Sequence, residues 1–341
     1  MAKFRRIGTT ALQYGDPRVR DREAREREAV LNYIKMAGNL SIDILLFQEE
    51  FGFVCFNTHL IEGRKQFAPA DLRIDLPSYL KEPGETAISL DDCYIQHVRE
   101  AARAAGVNVV LPILERSGNR IYNSLVPVTS EGLLLKPYRK MYPVIGEMDN
   151  GISPGIDNPA QILAGIPVGF SICFDINFDE VYELARASEA KLMLWSSMWM
   201  GGHWLKARSA RYGFYTVSAT PDGCSFVDMD GTSIVESYTS YPQTYGENNL
   251  VFEDLNFDRE VFHCAADGKL NEIRNRYGSR IHIRNRPQDC FCIIETLDAT
   301  LSIEEVKDEF KLTNYYDYLK CCKAVRDTAL SQGIAGSVDR G

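Results

Sequence analysis

The feature that most constrains this chain is an apolar run, Val168-Gly-Phe-Ser-Ile172, that leads directly into Cys173. An unbroken apolar run of this length is typical of a strand that is covered on both faces of its sheet. A helix is predicted to follow at once, because Val181 and Ala185 recur at helical spacing. A cysteine between a strand and a helix start lies beside free backbone N–H groups, which favour a thiolate and stabilise an oxyanion. The run therefore indicates an α/β fold with Cys173 as a candidate nucleophile.

A lone cysteine in an apolar strand is more often an inert core residue, but two other strand ends carry ionisable groups. The apolar segment from Ser41 to Phe47 leads to Glu49, and the segment Leu133-Leu-Leu-Lys-Pro-Tyr-Arg-Lys140 ends in a base. The chain thus offers a carboxylate, an ammonium group and a thiol at three predicted strand ends. Glu50 is the alternative carboxylate, because strand ends are placed imprecisely from sequence.

These segments resemble the nitrilase superfamily of carbon–nitrogen hydrolases. Its catalytic residues are a Glu at a strand end, a Lys in a Tyr-Arg-Lys-like segment and a Cys in a Gly-x-x-Ile-Cys-aromatic-Asp segment. The resemblance runs from about Phe4 to His263 and implies a four-layer αββα sandwich with a C-terminal helical arm. It divides the chain into a hydrolase domain, residues 1–264, and a partly helical extension, residues 265–341.

The resemblance also implies roles for individual residues. Glu49 would act as the general base, Cys173 would form a thioester, and Lys140 with the backbone N–H of Phe174 would stabilise the tetrahedral oxyanion. Glu147 matches the position of a second carboxylate in amidase-type members, where it orients the lysine and the substrate. No cofactor and no metal ion is expected, since the cysteine spacings differ from those of zinc sites and no Gly-rich phosphate loop occurs.

Three residues are predicted to contact the substrate. Trp199 follows a Ser-Ser strand end as pocket-lining aromatics do in the family, and His203 lies beside it in a Gly-Gly loop. Asn177 occupies the position at which carbamoyl-amino-acid hydrolysers often carry an arginine. The Cys-Phe-Asp175 sequence resembles the amide-cleaving branches, whereas true nitrile hydrolysers usually carry Cys-Trp-Glu.

The expected function is hydrolysis of a non-peptide C–N bond, amide or carbamoyl, in a small molecule, with release of ammonia or an amine. Two alternatives stay open: nitrile hydrolysis by the same triad, and a catalytically silent family member that serves as an assembly subunit. A papain-like Cys–His mechanism has little support, since none of the five histidines lies in a segment typical of that class.

Composition limits the partners. A net charge of −9 and a pI near 5.2 argue against nucleic-acid or anionic-membrane binding, which depend on basic surfaces. The chain has no run of 18 apolar residues, and its nine cysteines lack a regular framework spacing, which suits reduced thiols. The sequence therefore predicts a soluble, cytoplasmic protein.

The C-terminal extension is predicted to contain two helices, one opened by a capping box at Ser302 and one capped by Asn314. Its apolar face is expected to pack on the main domain or on a partner subunit. Family members often exchange C-terminal segments across an oligomer, so the resemblance implies a homo-oligomer, a dimer or larger.

Overall fold

A computed structural model of the chain describes residues 3–16, 19, 21–53, 83–238 and 249–334. Strands and helices alternate along most of these ranges, which confirms the predicted α/β class. The strands are β1 (Phe4–Thr10), β2 (Ile44–Leu46), β3 (Asn108–Ser117), β4 (Arg120–Val128), β5 (Tyr138–Arg139), β6 (Gln161–Leu163), β7 (Ile166–Ile172), β8 (Leu192–Ser196), β9 (Tyr215–Ala219), β10 (Gly223–Val227), β11 (Ser233–Tyr238), β12 (Leu250–Asn256), β13 (Arg259–His263), β14 (Ile281–Arg286) and β15 (Phe291–Thr296).

The helices connect strands and cover the faces of the sheets. They are α1 (Arg22–Asn39), α2 (Pro83–Thr86), α3 (Cys93–Ala105), α4 (Ile145–Asp149), α5 (Asp179–Ala187), α6 (His203–Tyr212), α7 (Leu270–Tyr277), α8 (Ile303–Phe310) and α9 (Tyr315–Ser331). A short 3₁₀ helix, Cys173–Asn177, lies between β7 and α5, where the sequence analysis expected the helix to start immediately.

The described strands form two mixed sheets of six strands and one sheet of three strands. The first sheet has the order β12-β1-β2-β3-β4-β5, and the second has the order β11-β10-β9-β8-β7-β6. Strands β1, β2 and β3 are parallel to one another, and so are β7, β8 and β9. Nearer the edges of the sheets, β4, β6 and β11 pair with their neighbours in antiparallel orientation. Strands β2, β3, β7 and β8 are mostly apolar, as expected for strands covered on both faces, whereas β1 carries Arg5 and Arg6.

Helices α1 and α3 pack on the first sheet. Val30 of α1 and Ile95 of α3 are fully buried in one hydrophobic cluster with Val109 of β3. Helix α3 begins where the Asp92 side chain accepts a hydrogen bond from the Tyr94 N–H, and it ends at a glycine in the left-handed conformation. Both ends agree with ordinary capping chemistry, so the local sequence predicts this helix well.

Helices α5 and α6 cover the second sheet. At Gly169 of β7, a Cβ atom would lie 2.8 Å from the Cβ of Ala185, so glycine permits the close approach of α5. The two sheets face each other through side-chain contacts: Ser196 Oγ donates to the Phe47 carbonyl at 2.8 Å, and Thr9 Oγ1 donates to the Ser218 carbonyl at 2.8 Å. The order of layers is therefore helix, sheet, sheet, helix, as predicted.

Contacts divide the chain into two compact units, one of Arg5–Leu255 and one of Met1–Phe4 with Asn256–Gly341. The second unit contains the three-stranded sheet, in the order β13-β15-β14, and helices α7 to α9. The predicted domain boundary after residue 264 stays a prediction. This small sheet was missed in the sequence analysis, although the alternation of Ile281 and Ile283 with polar residues and the turn at Pro287–Asp289 are signals that would have found its hairpin.

Both predicted helices of the extension are present. Ser302 forms the capping box of α8 with Glu305, and Asn314 accepts hydrogen bonds from the N–H groups of Tyr316 and Asp317 at the start of α9. None of the residues of α9 is buried against the described part of the chain. The expected packing of its apolar face on the main domain or on a partner subunit stays a prediction. No described helix is long and apolar enough to cross a membrane.

Candidate active site

Strand β7 delivers Cys173 to a sharp turn. The backbone of Cys173 adopts a φ of 45°, in the left-handed region that residues other than glycine rarely occupy. Its carbonyl accepts a hydrogen bond from the Trp195 indole Nε1 at 3.1 Å, which holds the turn against β8. Strained backbone of this kind clusters at functional sites. Here it leaves the cysteine partly exposed rather than packed into the core.

A buried cluster of charged groups brings two of the predicted triad residues together. Glu49 follows β2, Lys140 follows β5, and Glu147 lies in α4; each is at most 3% exposed. The Lys140 ammonium lies 2.9 Å from Glu49 Oε1 and 2.8 Å from Glu147 Oε2. One buried cation thus joins two carboxylates that are far apart in the sequence.

Asn123 holds the two carboxylates of this cluster. Its Nδ2 donates to Glu49 Oε1 at 2.8 Å and to Glu147 Oε1 at 3.0 Å. The backbone N–H of Met198 donates to Glu49 Oε2, and that of Val144 donates to Glu147 Oε2. The sequence analysis did not single out Asn123, although a polar residue in the middle of the apolar strand β4 is a signal that would have found it.

The cysteine thiol lies in the electrostatic field of the same cluster. The pKa of Cys173 is raised to about 12, mainly because the partly buried thiol is desolvated and also because the Glu49 carboxylate lies nearby, although Lys140 and a hydrogen bond with Ser197 act in the opposite direction. The expectation that the turn favours a thiolate is therefore wrong for the free site, because burial and the nearby carboxylate outweigh the local N–H groups. The thiol needs a base to become a nucleophile.

The lysine keeps its charge. Burial by itself lowers the pKa of Lys140, but the carboxylates of Glu147 and Glu49 raise that pKa well above its ordinary value. A permanently charged ammonium group in a buried site is suited to stabilise an oxyanion. Glu50, the alternative acid, is also buried, but the contacts that Lys140 and Asn123 make in this cluster are with Glu49.

Two aromatic residues border the site. Trp199 follows Met198, whose N–H binds Glu49, and packs edge-on against Trp195 with 5.8 Å between ring centroids. Phe174 follows Cys173 directly and packs edge-on against Phe178. Each of Trp199 and Phe174 is more than one third exposed. These rings are therefore accessible beside the thiol and the carboxylate.

The other two predicted substrate contacts lie at the surface. Asn177 is exposed at the end of the 3₁₀ helix, and its Nδ2 donates to the Phe174 carbonyl. His203 is exposed at the first position of α6. Their contacts with substrate stay predictions. Among the described residues, no group of three or more His, Cys, Asp or Glu side chains is arranged to hold a metal ion.

Known proteins match this chain over much of its length. A family model described as carbon-nitrogen hydrolase matches residues 11–245. A Staphylococcus aureus protein named hydrolase in agr operon is 23% identical over 209 residues, which are 58% of this chain and 75% of that protein. The deaminated glutathione amidase of Dictyostelium discoideum is 25% identical over 214 residues, which are 56% of this chain and 66% of that protein.

Solved structures show the same fold. A mutant of the amidase from Nesterenkonia sp. AN1 is similar with a TM-score of 0.55 at 18% identity, covering 74% of this chain and 90% of that chain. That structure shows covalent addition of the acetamide moiety of fluoroacetamide at the active-site cysteine of the amidase. At this level of identity, the similarity establishes the fold of the present chain and leaves its chemistry to be argued from its own residues.

Proposed function

Because the chain belongs to the carbon–nitrogen hydrolase family, we propose that it hydrolyses a non-peptide C–N bond of a small molecule, in an amide or a carbamoyl group. The observation that carries the proposal is the buried contact of Lys140 with Glu49 and Glu147 in the electrostatic field of the Cys173 thiol. The names of the similar proteins support an amide rather than a nitrile, since two of them are amidases.

In the first half of the reaction, Glu49 removes the proton from the Cys173 thiol, and the sulfur attacks the carbonyl carbon of the substrate. The negative charge that develops on the carbonyl oxygen is stabilised by the Lys140 ammonium group and the backbone N–H of Phe174. Glu49 then gives its proton to the leaving nitrogen. The C–N bond breaks, ammonia or an amine departs, and a thioester remains on Cys173.

In the second half, Glu49 removes a proton from water, and the resulting hydroxide attacks the thioester carbon. The C–S bond breaks, the acid leaves, and the thiol regains its proton. Glu147 contacts the ammonium group of Lys140 independently of Glu49, so that Glu49 can change its protonation state while the lysine stays in place. Such preorganised charge needs no rearrangement when the oxyanion forms.

The test is a screen for ammonia release across amides, carbamoyl compounds and nitriles, with Cys173→Ala beside the wild type. We expect the wild type to hydrolyse members of the first two groups and Cys173→Ala to be inactive. Cys93→Ala is the matched control, because Cys93 is an exposed cysteine at the start of α3. Intact mass measured during turnover is expected to show an acyl adduct on the wild type and on the control.

Two outcomes contradict the proposal. Faster ammonia release from nitriles than from any amide would favour a nitrile hydrolyser with the same residues. Equal inactivity of wild type and Cys173→Ala on every compound, with no acyl adduct, would favour a catalytically silent member of the family that acts as an assembly subunit.

A further inference from the structure

Asp175 is a wholly buried carboxylate two residues beyond Cys173, in the 3₁₀ helix that follows β7. Its Oδ2 accepts hydrogen bonds from the Tyr138 hydroxyl at 2.6 Å and from the Ile172 N–H at 2.9 Å. Its Oδ1 accepts a hydrogen bond from the Tyr142 N–H at 2.8 Å. Three donors therefore converge on one side chain, which is enough to fix its orientation.

The donors belong to two separate segments of the chain. Tyr138 and Tyr142 stand two residues before and two residues after Lys140, whereas Ile172 immediately precedes Cys173. The segment with Lys140 continues from β5 of the first sheet, and the turn with Cys173 continues from β7 of the second sheet. Asp175 is thus a direct link between the backbone that carries the ammonium group and the backbone that carries the thiol.

The Lys140 segment is fixed on its other side by backbone contacts. The Lys140 N–H donates to the Asn123 carbonyl, and the Gly155 N–H donates to the Lys140 carbonyl, both at 2.8 Å. A Cβ atom at Gly155 would lie 2.1 Å from the Arg139 carbonyl oxygen, so the loop approaches as closely as glycine allows. Asp175 supplies the link toward the cysteine that these contacts do not make.

Stability alone is a poor explanation for this carboxylate. Burial raises the pKa of Asp175 to about 6, although the Tyr138 hydroxyl, Lys140 and the backbone donors lower it. The ionised form therefore costs desolvation free energy that its hydrogen bonds only partly offset. Near pH 7 the group is mostly ionised and accepts hydrogen bonds from all three donors at once.

We propose that Asp175 is a positioning residue, which holds the Lys140 ammonium group and the Cys173 thiol at the separation that the reaction requires. The effect that we expect on the reaction rate rests on the proposed function. Displacement of a reacting group by about 1 Å is enough to reduce a rate by about 100-fold. Loss of the link is expected to lower kcat and to leave KM nearly unchanged, because Asp175 is buried beneath the site.

The experiment compares Asp175→Asn, Tyr138→Phe and the double variant with Asp228→Asn. Asp228 is a matched control, because it is a buried carboxylate in the turn after β10. We measure kcat and KM per active site, counted by the acyl adduct in intact mass, and the melting temperature of each variant.

We expect Asp175→Asn to lower kcat about 10- to 100-fold with little change in KM, and Tyr138→Phe to lower it less. The double variant is expected to be no worse than Asp175→Asn, since both changes break the same link. The proposal fails if kcat per active site is unchanged in Asp175→Asn and Tyr138→Phe while their melting temperatures fall like that of Asp228→Asn.

A second measurement needs no substrate and separates this inference from the proposed function. Tyr138→Phe removes a hydrogen bond without changing any charge at neutral pH, so it is the cleaner probe of position. If Lys140 moves away from Cys173, the thiol loses a charge that lowers its pKa, and iodoacetamide is expected to alkylate Cys173 more slowly at pH 9. An unchanged alkylation rate in both Tyr138→Phe and Asp175→Asn would overturn the inference even if the wild type hydrolysed no compound.

Discussion

Two lysines, one in each compact unit, have contrasting surroundings, although little of either side chain is exposed: 2% for Lys140 and 10% for Lys3. Lys140 lies between two carboxylates and near a thiol. Lys3 contacts one carboxylate, that of Asp258, together with the Thr296 hydroxyl and the Leu301 carbonyl. Asp258 also accepts a hydrogen bond from the N–H of Ile303 at the start of α8, so the Lys3 pair links the N-terminal residues to a helix end.

The difference between the two sites lies in their charge. In the Lys3 site, the positive charge of Lys3 is balanced by the negative charge of Asp258. Neutral oxygens accept the remaining hydrogen bonds of the ammonium group, as is typical of a structural ion pair. The Lys140 site has one more carboxylate than it has cations, which leaves a group able to take a proton from the thiol. A buried lysine therefore indicates chemistry when its surroundings carry an excess of charge, rather than by its burial alone.

The largest effect is expected from Glu49→Gln, which removes the excess charge and retains the shape. Hydrolysis should fall about 10²- to 10⁴-fold, as for loss of a general base. The same change should lower the pKa of the Cys173 thiol, because the Glu49 charge raises it. Alkylation of Cys173 should therefore reach half its maximal rate at a lower pH than in the wild type. Peptide mass spectrometry, with Cys93 as internal reference, measures the rate.

Glu50→Gln is the matched control for that change, since Glu50 is the neighbouring buried carboxylate. It is expected to keep most of the hydrolytic activity and the wild-type alkylation profile. If Glu50→Gln lost hydrolysis and Glu49→Gln did not, the general base would be Glu50 rather than Glu49.

The next effect is that of Lys140→Met, which leaves two carboxylates facing each other in a buried site. Hydrolysis should fall about 10²- to 10³-fold through loss of oxyanion stabilisation. The free energy of unfolding should fall by about 3–5 kcal/mol at pH 7, as for a broken buried ion pair. Because the two like charges then repel each other in the folded state, protonation relieves the repulsion, and stability should recover as the pH is lowered from 7 toward 5.

Urea unfolding of Lys140→Met at both pH values checks this expectation. A variant that is equally stable at pH 5 and pH 7 would show that the two carboxylates do not interact. In that case the comparison between the two lysine sites would lose its electrostatic basis.

The smallest effect on activity is expected from Lys3→Met. The free energy of unfolding should fall by about 1.5–3 kcal/mol, the contribution of hydrogen bonds to a charged group, while hydrolysis per folded molecule stays unchanged. Burial raises the pKa of Asp258, but Ile303, Lys3 and Thr296 together bring it below its ordinary value. Wild-type stability from this pair is present above the ordinary pKa of an aspartate and is lost as the pH falls through the lowered pKa.

In Lys3→Met, the free energy of unfolding should fall less than in the wild type when the pH is lowered from 5 to 3. Urea unfolding at both pH values measures this difference. A loss of hydrolysis as large as that of Lys140→Met would contradict the division between a structural and a chemical lysine.

Much of the architecture was predictable because local signals determine it. Apolar runs marked most of the parallel strands, and the caps at Ser302 and Asn314 marked helix starts. The family resemblance predicted that Glu49, Lys140 and Cys173 belong to one site, and the structure places Lys140 in contact with Glu49. The assigned roles stay predictions until the variants are measured.

Contacts between distant segments were not predictable in the same way. Asn123 and Asp175 act through partners on other strands, and which partners they meet depends on strand order and register. The raised pKa of Cys173 likewise depends on how the turn is buried, which a strand-then-helix pattern does not reveal. The small sheet of the C-terminal unit, by contrast, was missed although the alternating residues of β14 and the turn at Pro287–Asp289 were local signals of a hairpin.

The strand order of the first sheet has a consequence for synthesis on the ribosome. Strand β1 ends at Thr10, yet its neighbour on one side, β12, begins only at Leu250. An unpaired strand edge is a template for association with other chains. During synthesis this edge of β1 therefore stays open until β12 emerges, and the growing chain is exposed to pairing with other chains during that interval.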